Sequence, residues 1–234
     1  GITGGHCSDN NLLPPEYGIS GEGVADGPWA ARTAVRRNIK YGADLIKTCS
    51  TGGVLSKGTK VGAPQYTVEE LTALVDEAHS RGLKVASHAH GAQGIINALH
   101  AGADTIEHAS FIDEEGIRLA IANNAALSMD IYVTEYILGE GAGAGILEES
   151  LEKERMTGST QRANFRKAVE AGATIVYGTD AGVYPHGQNA KQFSRMVRFG
   201  MTRLQAIQSA TVTAADVMGL GYEVGKIEAG YAAD

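Results

Sequence analysis

Residues 83–110, LKVASHAHGAQGIINALHAGADTIEHAS, restrict the fold more than any other stretch of the chain. Two apolar runs of strand length flank a short helical segment that stops at Gly102. The first run ends in His88 and His90, the second in His108. A strand–helix–strand unit of this size joins parallel strands. It delivers the imidazoles of both strands to one end of the sheet, the C-terminal end, where catalytic groups collect in parallel barrels.

The same plan recurs along the chain. Gly42-Ala43-Asp44, Gly82-Leu83-Lys84, Gly102-Ala103-Asp104 and Gly172-Ala173-Thr174 each stand between a helical pattern and an aliphatic run. Glycine supplies the left-handed helix stop, and the run that follows enters a sheet. The periodicity predicts helices over 28–41, from Thr67 to the stop at Gly82, and over 91–99, 113–124 and 147–170; it also predicts a broken helix over 188–220. Thr67 and Glu70 have capping-box spacing. Strands are expected at 45–50, 83–90, 104–110, 126–133 and 173–180. Residues 1–27 read as a loop, and the loops at 50–62 and 139–145 are expected to shape the mouth, the second as a lid. Alternating helices and buried strands mean an α/β fold with a parallel sheet. Five strands are too few to close an eight-stranded barrel, and 234 residues suit one core.

Acidic residues outnumber basic ones, 27 to 20, so non-specific nucleic-acid binding and adhesion to an anionic membrane are disfavoured. No apolar run reaches the length of a membrane span. A small molecule is the expected partner, and a homo-oligomer is compatible with the sequence. Two cysteines, Cys7 and Cys49, imply no disulfide framework and fit a reduced cytoplasm. Cys49, two residues past Lys47, is either a nucleophile or a small buried residue.

Polar side chains stand where each strand runs out: Lys47, then His88 and His90, then His108, then Asp180. A buried parallel strand otherwise calls for Val, Ile and Leu. Taken singly, each has a plain reading: a hydrogen-bonded core histidine, a solvated or Schiff-base lysine, an aspartate capping the next segment. Taken together they make a site. Histidine and carboxylate ligands suit zinc with an open position, which activates water for hydrolysis. His6 and His186 lie in loops, and His79 and His100 lie on helices as surface or packing residues.

IKTCSTGG, VASHAHG, IEHAS and YGTDAG, in this order, resemble the successive strand-end motifs of the metal-dependent amidohydrolase superfamily, in its imidazolonepropionase-like and Xaa-Pro dipeptidase (prolidase) branch. The resemblance covers nearly the whole chain. It implies a (β/α)8 TIM-barrel-type fold with one or two divalent ions, usually zinc. It makes Lys47 a carboxylated bridging ligand, and His88 and His108 ligands of the second ion. Asp180 becomes a ligand of the first ion and the general base. The family's first-strand His-x-His has no counterpart here. The expected organisation is therefore an incomplete barrel over 1–224, without the first βα units and the flanking β-sandwich, and a return towards that sandwich over 225–234. His90 is expected to contact substrate or leaving group, and Tyr132 either donates to a tetrahedral oxyanion or is a simple strand-end tyrosine. The implied reaction is cleavage of a C–N bond, in a dipeptide or an N-acyl amino acid, by metal-activated water. Two other classes stay open: a Schiff-base lyase using Lys47 and a non-catalytic scaffold or binding fragment.

Overall fold

A computed structural model describes residues 1–8 and 23–233. Most of the loop expected over 1–27, and the final residue of the expected sandwich return, lie outside the described residues. Five parallel strands pair in chain order: β1 (Leu45–Cys49), β2 (Lys84–Ala89), β3 (Thr105–His108), β4 (Ala126–Ser128) and β5 (Ile175–Val176). Each joins only its sequence neighbours, so among the described residues the barrel is open, with β1 and β5 as its edges.

Helices α1 (Pro28–Lys40), α2 (Val68–His79), α3 (Ala92–Ala101) and α4 (Glu114–Ala122) precede or connect the first four strands. The short α5 (Val133–Gly139) and the long α6 (Glu148–Glu170) lie between β4 and β5, followed by α7 (Lys191–Arg198), α8 (Arg203–Ser209) and α9 (Val212–Met218). Local chemistry sets the ends. Thr67 and Glu70 form the expected capping box on α2. The Asp113 carboxylate accepts from Gly116 N at 2.8 Å to start α4. Gly102 closes α3 in the left-handed conformation, φ 93°. Between the sheet and its helices, Ile46, Val85, Ile106 and Leu127 pack with Leu71, Val75, Leu99 and Phe165 into one buried core. Arg36 and Arg32 from α1 grip Glu77 of α2, holding its carboxyl down at about 2.

All five strands are shorter than expected, β4 and β5 by the most. The run 126–133 leaves the sheet after Ser128; beyond it the Ile131 carbonyl accepts from Arg162 of α6 in place of a ladder partner, and the Asp130 carboxylate accepts from Gln161. Tyr132 is therefore no strand-end residue; it sits at the N-terminus of α5. The run 173–180 leaves after Val176, where Tyr177 N turns to Ser209 O. The tail from Gly225 to Ala233 forms turns and bends, with Ala232 N bonded back to Glu223 O. No helix among the described residues is long and apolar enough to cross a membrane.

Candidate metal centre

Parallel pairing brings the strand ends level. Cys49 lies beside His88, and Ala89 beside His108. Past these residues the backbone bends sharply: His108 and Asp180 both adopt left-handed conformations, φ 68° and 49°. A non-glycine residue held there costs on the order of 1–3 kcal/mol, which the surrounding bonds must offset. The result is a cleft of about 320 Å³ at the C-terminal end of the sheet, lined by Lys47, His88, His90, His108 and Asp180 among others. A larger cavity of about 830 Å³ lies against α1 and contains no histidine or carboxylate among its described lining residues.

Three imidazoles face one another in the cleft. His88 lies 4.7 Å from His90 and 4.6 Å from His108, ring centre to ring centre, and the His90 and His108 rings stack at 4.7 Å. One ligand atom from each falls within 4.8 Å of the other two, and His108, Asp130 and Asp180 form a second group with the same reach. The outer ring atoms are already fixed. His90 Nδ1 pairs with Ser110 Oγ at 2.8 Å, and His108 Nδ1 donates to Asp130 Oδ1 at 3.0 Å. Burial, and then the neighbouring imidazoles, push His88 and His90 well below their ordinary pKa, so both stand neutral. Burial acts on His108 in the same sense, but the charge and hydrogen bond of Asp130 outweigh it and raise the group. Asp180 is also raised, by lost hydration and by the Asp130 carboxylate.

The sequence reading missed the groups that brace these side chains. Asp130, 5% exposed, takes bonds from both His108 and Gln161 on one oxygen. Helix α6 turns a row of buried polar residues towards the loops: Gln161 to the His108 carbonyl, Asn164 to the Ser110 carbonyl and Lys153 to the Ser56 carbonyl. Glu154, on the same face and 3% exposed, reaches the cleft; burial raises its carboxyl to about 7. An acidic residue inside the apolar run ALSMDIYV was a readable sign for Asp130. The α6 row had no such sign, because buried polar residues at helical spacing look like a solvated face.

Other expectations are corrected. Tyr132 does not line the cleft: its ring lies under Lys191 and Arg195 and its hydroxyl donates to Gln188 Oε1 at 3.1 Å. The 139–145 segment turns back onto α5 and adds no lining residue, whereas Val54 and Leu55 of the 50–62 loop do. Cys7 and Cys49 are joined as a disulfide across 42 residues, so Cys49 is no free nucleophile in this state. The pairing depends on the chain start folding back over the end of β1, which spacing alone does not reveal. His6 comes with it, its ring tilted against His88 with centres 4.2 Å apart and its Nδ1 paired with Ser56 Oγ. Burial and the nearby charges of His108 and Lys47 bring its pKa to about 4. His79, at 2.8 Å from Asp104, and the exposed His100 and His186 stay outside the cleft.

Known proteins are similar to this chain in sequence and fold. A model of the amidohydrolase family matches residues 4–234. Ochratoxinase from Aspergillus niger is 35% identical over 228 residues, which make up 95% of this chain and 47% of that protein. A crystal structure of a Xaa-Pro dipeptidase with methionine bound in its active site is 40% identical, with a TM-score of 0.91; the match covers 100% of this chain and 58% of that one. A prolidase solved with N-methylphosphonate-L-proline is 29% identical, with a TM-score of 0.89, over 100% of this chain and 59% of that one. The chain spans about half the length of the curated relative, 47%.

Proposed function

The chain belongs to the amidohydrolase family, and from that membership we propose that the protein hydrolyses the C–N bond of an amide, in a dipeptide of the Xaa-Pro type or an N-acyl amino acid. The reading rests on one observation above all: neutral His88 and His90, His108 and Asp180 meet in a single cleft with Lys47. The donor set suits a divalent cation such as zinc. It offers imidazoles and carboxylates within mutual reach, and the second nitrogens of His90 and His108 are already engaged, as in the outer shell of metal-bound histidines. Lys47, His88, His108 and Asp180 would hold one or two such ions, Lys47 as its carbamate, since an ammonium offers no lone pair. A bound cation supplies Lewis acidity towards a carbonyl and acidifies water.

The residues of the chain do the rest. Asp180, at the mouth, accepts the proton of the attacking water and passes it to the departing amine. His90, deeper and neutral, contacts the substrate amide or shares in holding the ion. Val54, Leu55, Val133, Ile137 and Val183 give the cleft an apolar wall that receives an uncharged side chain. The test is turnover of Xaa-Pro dipeptides and N-acyl amino acids by the full-length protein, before and after chelation. Asp180→Asn is expected to lower kcat by about 10²–10⁴-fold. Turnover that survives exhaustive removal of divalent ions overturns the proposal. Borohydride trapping of a carbonyl substrate on Lys47 would favour the Schiff-base reading in its place.

A further inference from the structure

His6, Cys7 and Cys49 lie beside the imidazole group and have no part in the hydrolytic scheme. One ligand atom from each falls within 4.8 Å of the other two. We propose that these three residues form a second, sulfur-containing cation site on the wall of the cleft, filled by a thiophilic divalent cation of the zinc class when the Cys7–Cys49 disulfide is reduced.

The geometry supplies both halves of such a site. Cys49 is the fixed half: it is fully buried, ends β1 and pairs in register with His88. Cys7 is the accessible half: it is exposed, lines the cleft and sits in a left-handed turn at φ 62°. Their Cα atoms are 6.1 Å apart, so both sulfurs can face a common ion with small side-chain rotations once the bond between them is gone. His6 is held ready. Its ring lies between His88 and the backbone of Gly53, where a methyl group on Gly53 would come within 2.5 Å of the ring. Ser56 takes Nδ1, which leaves Nε2 as the ligating nitrogen. Two thiolates and one imidazole make a three-ligand zinc set with an open position.

A dithiol reductant entering by the cleft gives two electrons and two protons to the Cys7–Cys49 bond and becomes a disulfide itself. The two thiols then release two protons as they bind the cation. A small-molecule disulfide reverses the sequence by exchange and expels the ion. The same three residues thus tie the start of the chain to β1 in both states, by a covalent bond in one and by an ion in the other.

Cadmium tests this directly, because thiolate–cadmium bonds give an ultraviolet charge-transfer band that imidazole and carboxylate ligands do not. Metal-free protein is divided into an oxidised and a phosphine-reduced sample, and each is titrated with Cd²⁺. The band is expected only in the reduced sample, with the intensity of one thiolate-bound cadmium per chain at saturation, and Cys49→Ser is expected to abolish it. His6→Ala is expected to keep the band and weaken cadmium binding about tenfold or more. A reduced protein with two titratable thiols and no band overturns the site, and so does a band that survives Cys49→Ser. Unchanged affinity in His6→Ala removes His6 from it. The oxidised parent protein is a control that needs no variant to fold. The readout is independent of turnover, so it separates this site from the hydrolytic proposal.

Discussion

Asp130→Asn isolates the bond that aims His108. In the parent protein one oxygen, Asp130 Oδ1, accepts from His108 Nδ1 and Gln161 Nε2, both at 3.0 Å, at a residue only 5% exposed. Asparagine keeps the shape and an acceptor but removes the charge. A hydrogen bond to a charged group contributes about 1.5–3 kcal/mol, against about 0.5–1.5 for a neutral pair. Loss of an outer-shell partner of a metal-bound histidine typically weakens metal binding about 10–100-fold, or about 1.4–2.7 kcal/mol. The two estimates agree, so zinc affinity measured by competition with a chromophoric chelator should fall by one to two decades. The pH dependence has a definite sign. Asp130 raises the His108 pKa, so parent protein at low pH must shed a proton before His108 can ligate, and the variant need not. The deficit of Asp130→Asn should therefore widen as the pH rises past the ordinary histidine pKa of about 6.5. Proton NMR of the metal-free protein should show the His108 titration moving down in the variant, because burial is then opposed only by the weaker pull of Asp180. Equal zinc affinity at the alkaline end, together with an unmoved His108 titration, would refute the claim that Asp130 orients and charges this ligand.

Two further perturbations probe the scaffold. Glu154 has a folded pKa near 7 against an ordinary 4.5, so the native state binds the extra proton and stability falls as pH rises between those values. Glu154→Gln should gain on the order of 3 kcal/mol above about pH 7 and nothing near pH 4; thermal melts of metal-free protein across that range would contradict this if the difference were constant. Gly91 has φ −77°, which alanine adopts freely, yet an added Cβ would lie 2.1 Å from Gly62 O and 2.7 Å from its Cα. Relieving that overlap moves one backbone by more than 1 Å, since carbon contacts settle near about 3.5–4.0 Å. Gly91→Ala should cost about 1–3 kcal/mol and lower Tm by about 2–4 °C for each of them; an unchanged Tm would show that the 50–62 loop yields without cost.

What the sequence made legible, and what it hid, follows from which interactions have a period. The βα repeat was readable because a helix stop and an aliphatic run announce themselves locally, and Lys47, His88, His108 and Asp180 stood out as polar residues where such runs end. They do line one cleft. The lengths of β4 and β5 were not readable, because the backbone past each strand finds its partner far along the chain, the Ile131 carbonyl on Arg162 of α6 and Tyr177 N on the Ser209 carbonyl of α8. The Cys7–Cys49 pairing was hidden for the same reason: it is a long-range closure with no local signature. Helix α6 is the instructive case. Ser150, Lys153, Thr157, Gln161 and Asn164 recur at the spacing of a core-facing stripe, yet all are polar, so the helix reads as solvated. Buried, Lys153, Gln161 and Asn164 donate to carbonyls at the end of β3 and in the loops after β1 and β3, which have left the ladder and need partners. A barrel that turns its strand ends into ligand-bearing loops strips those loops of sheet bonds. The helix beside them must then be polar on its inner face, and that face is as much a part of the site as the histidines it steadies.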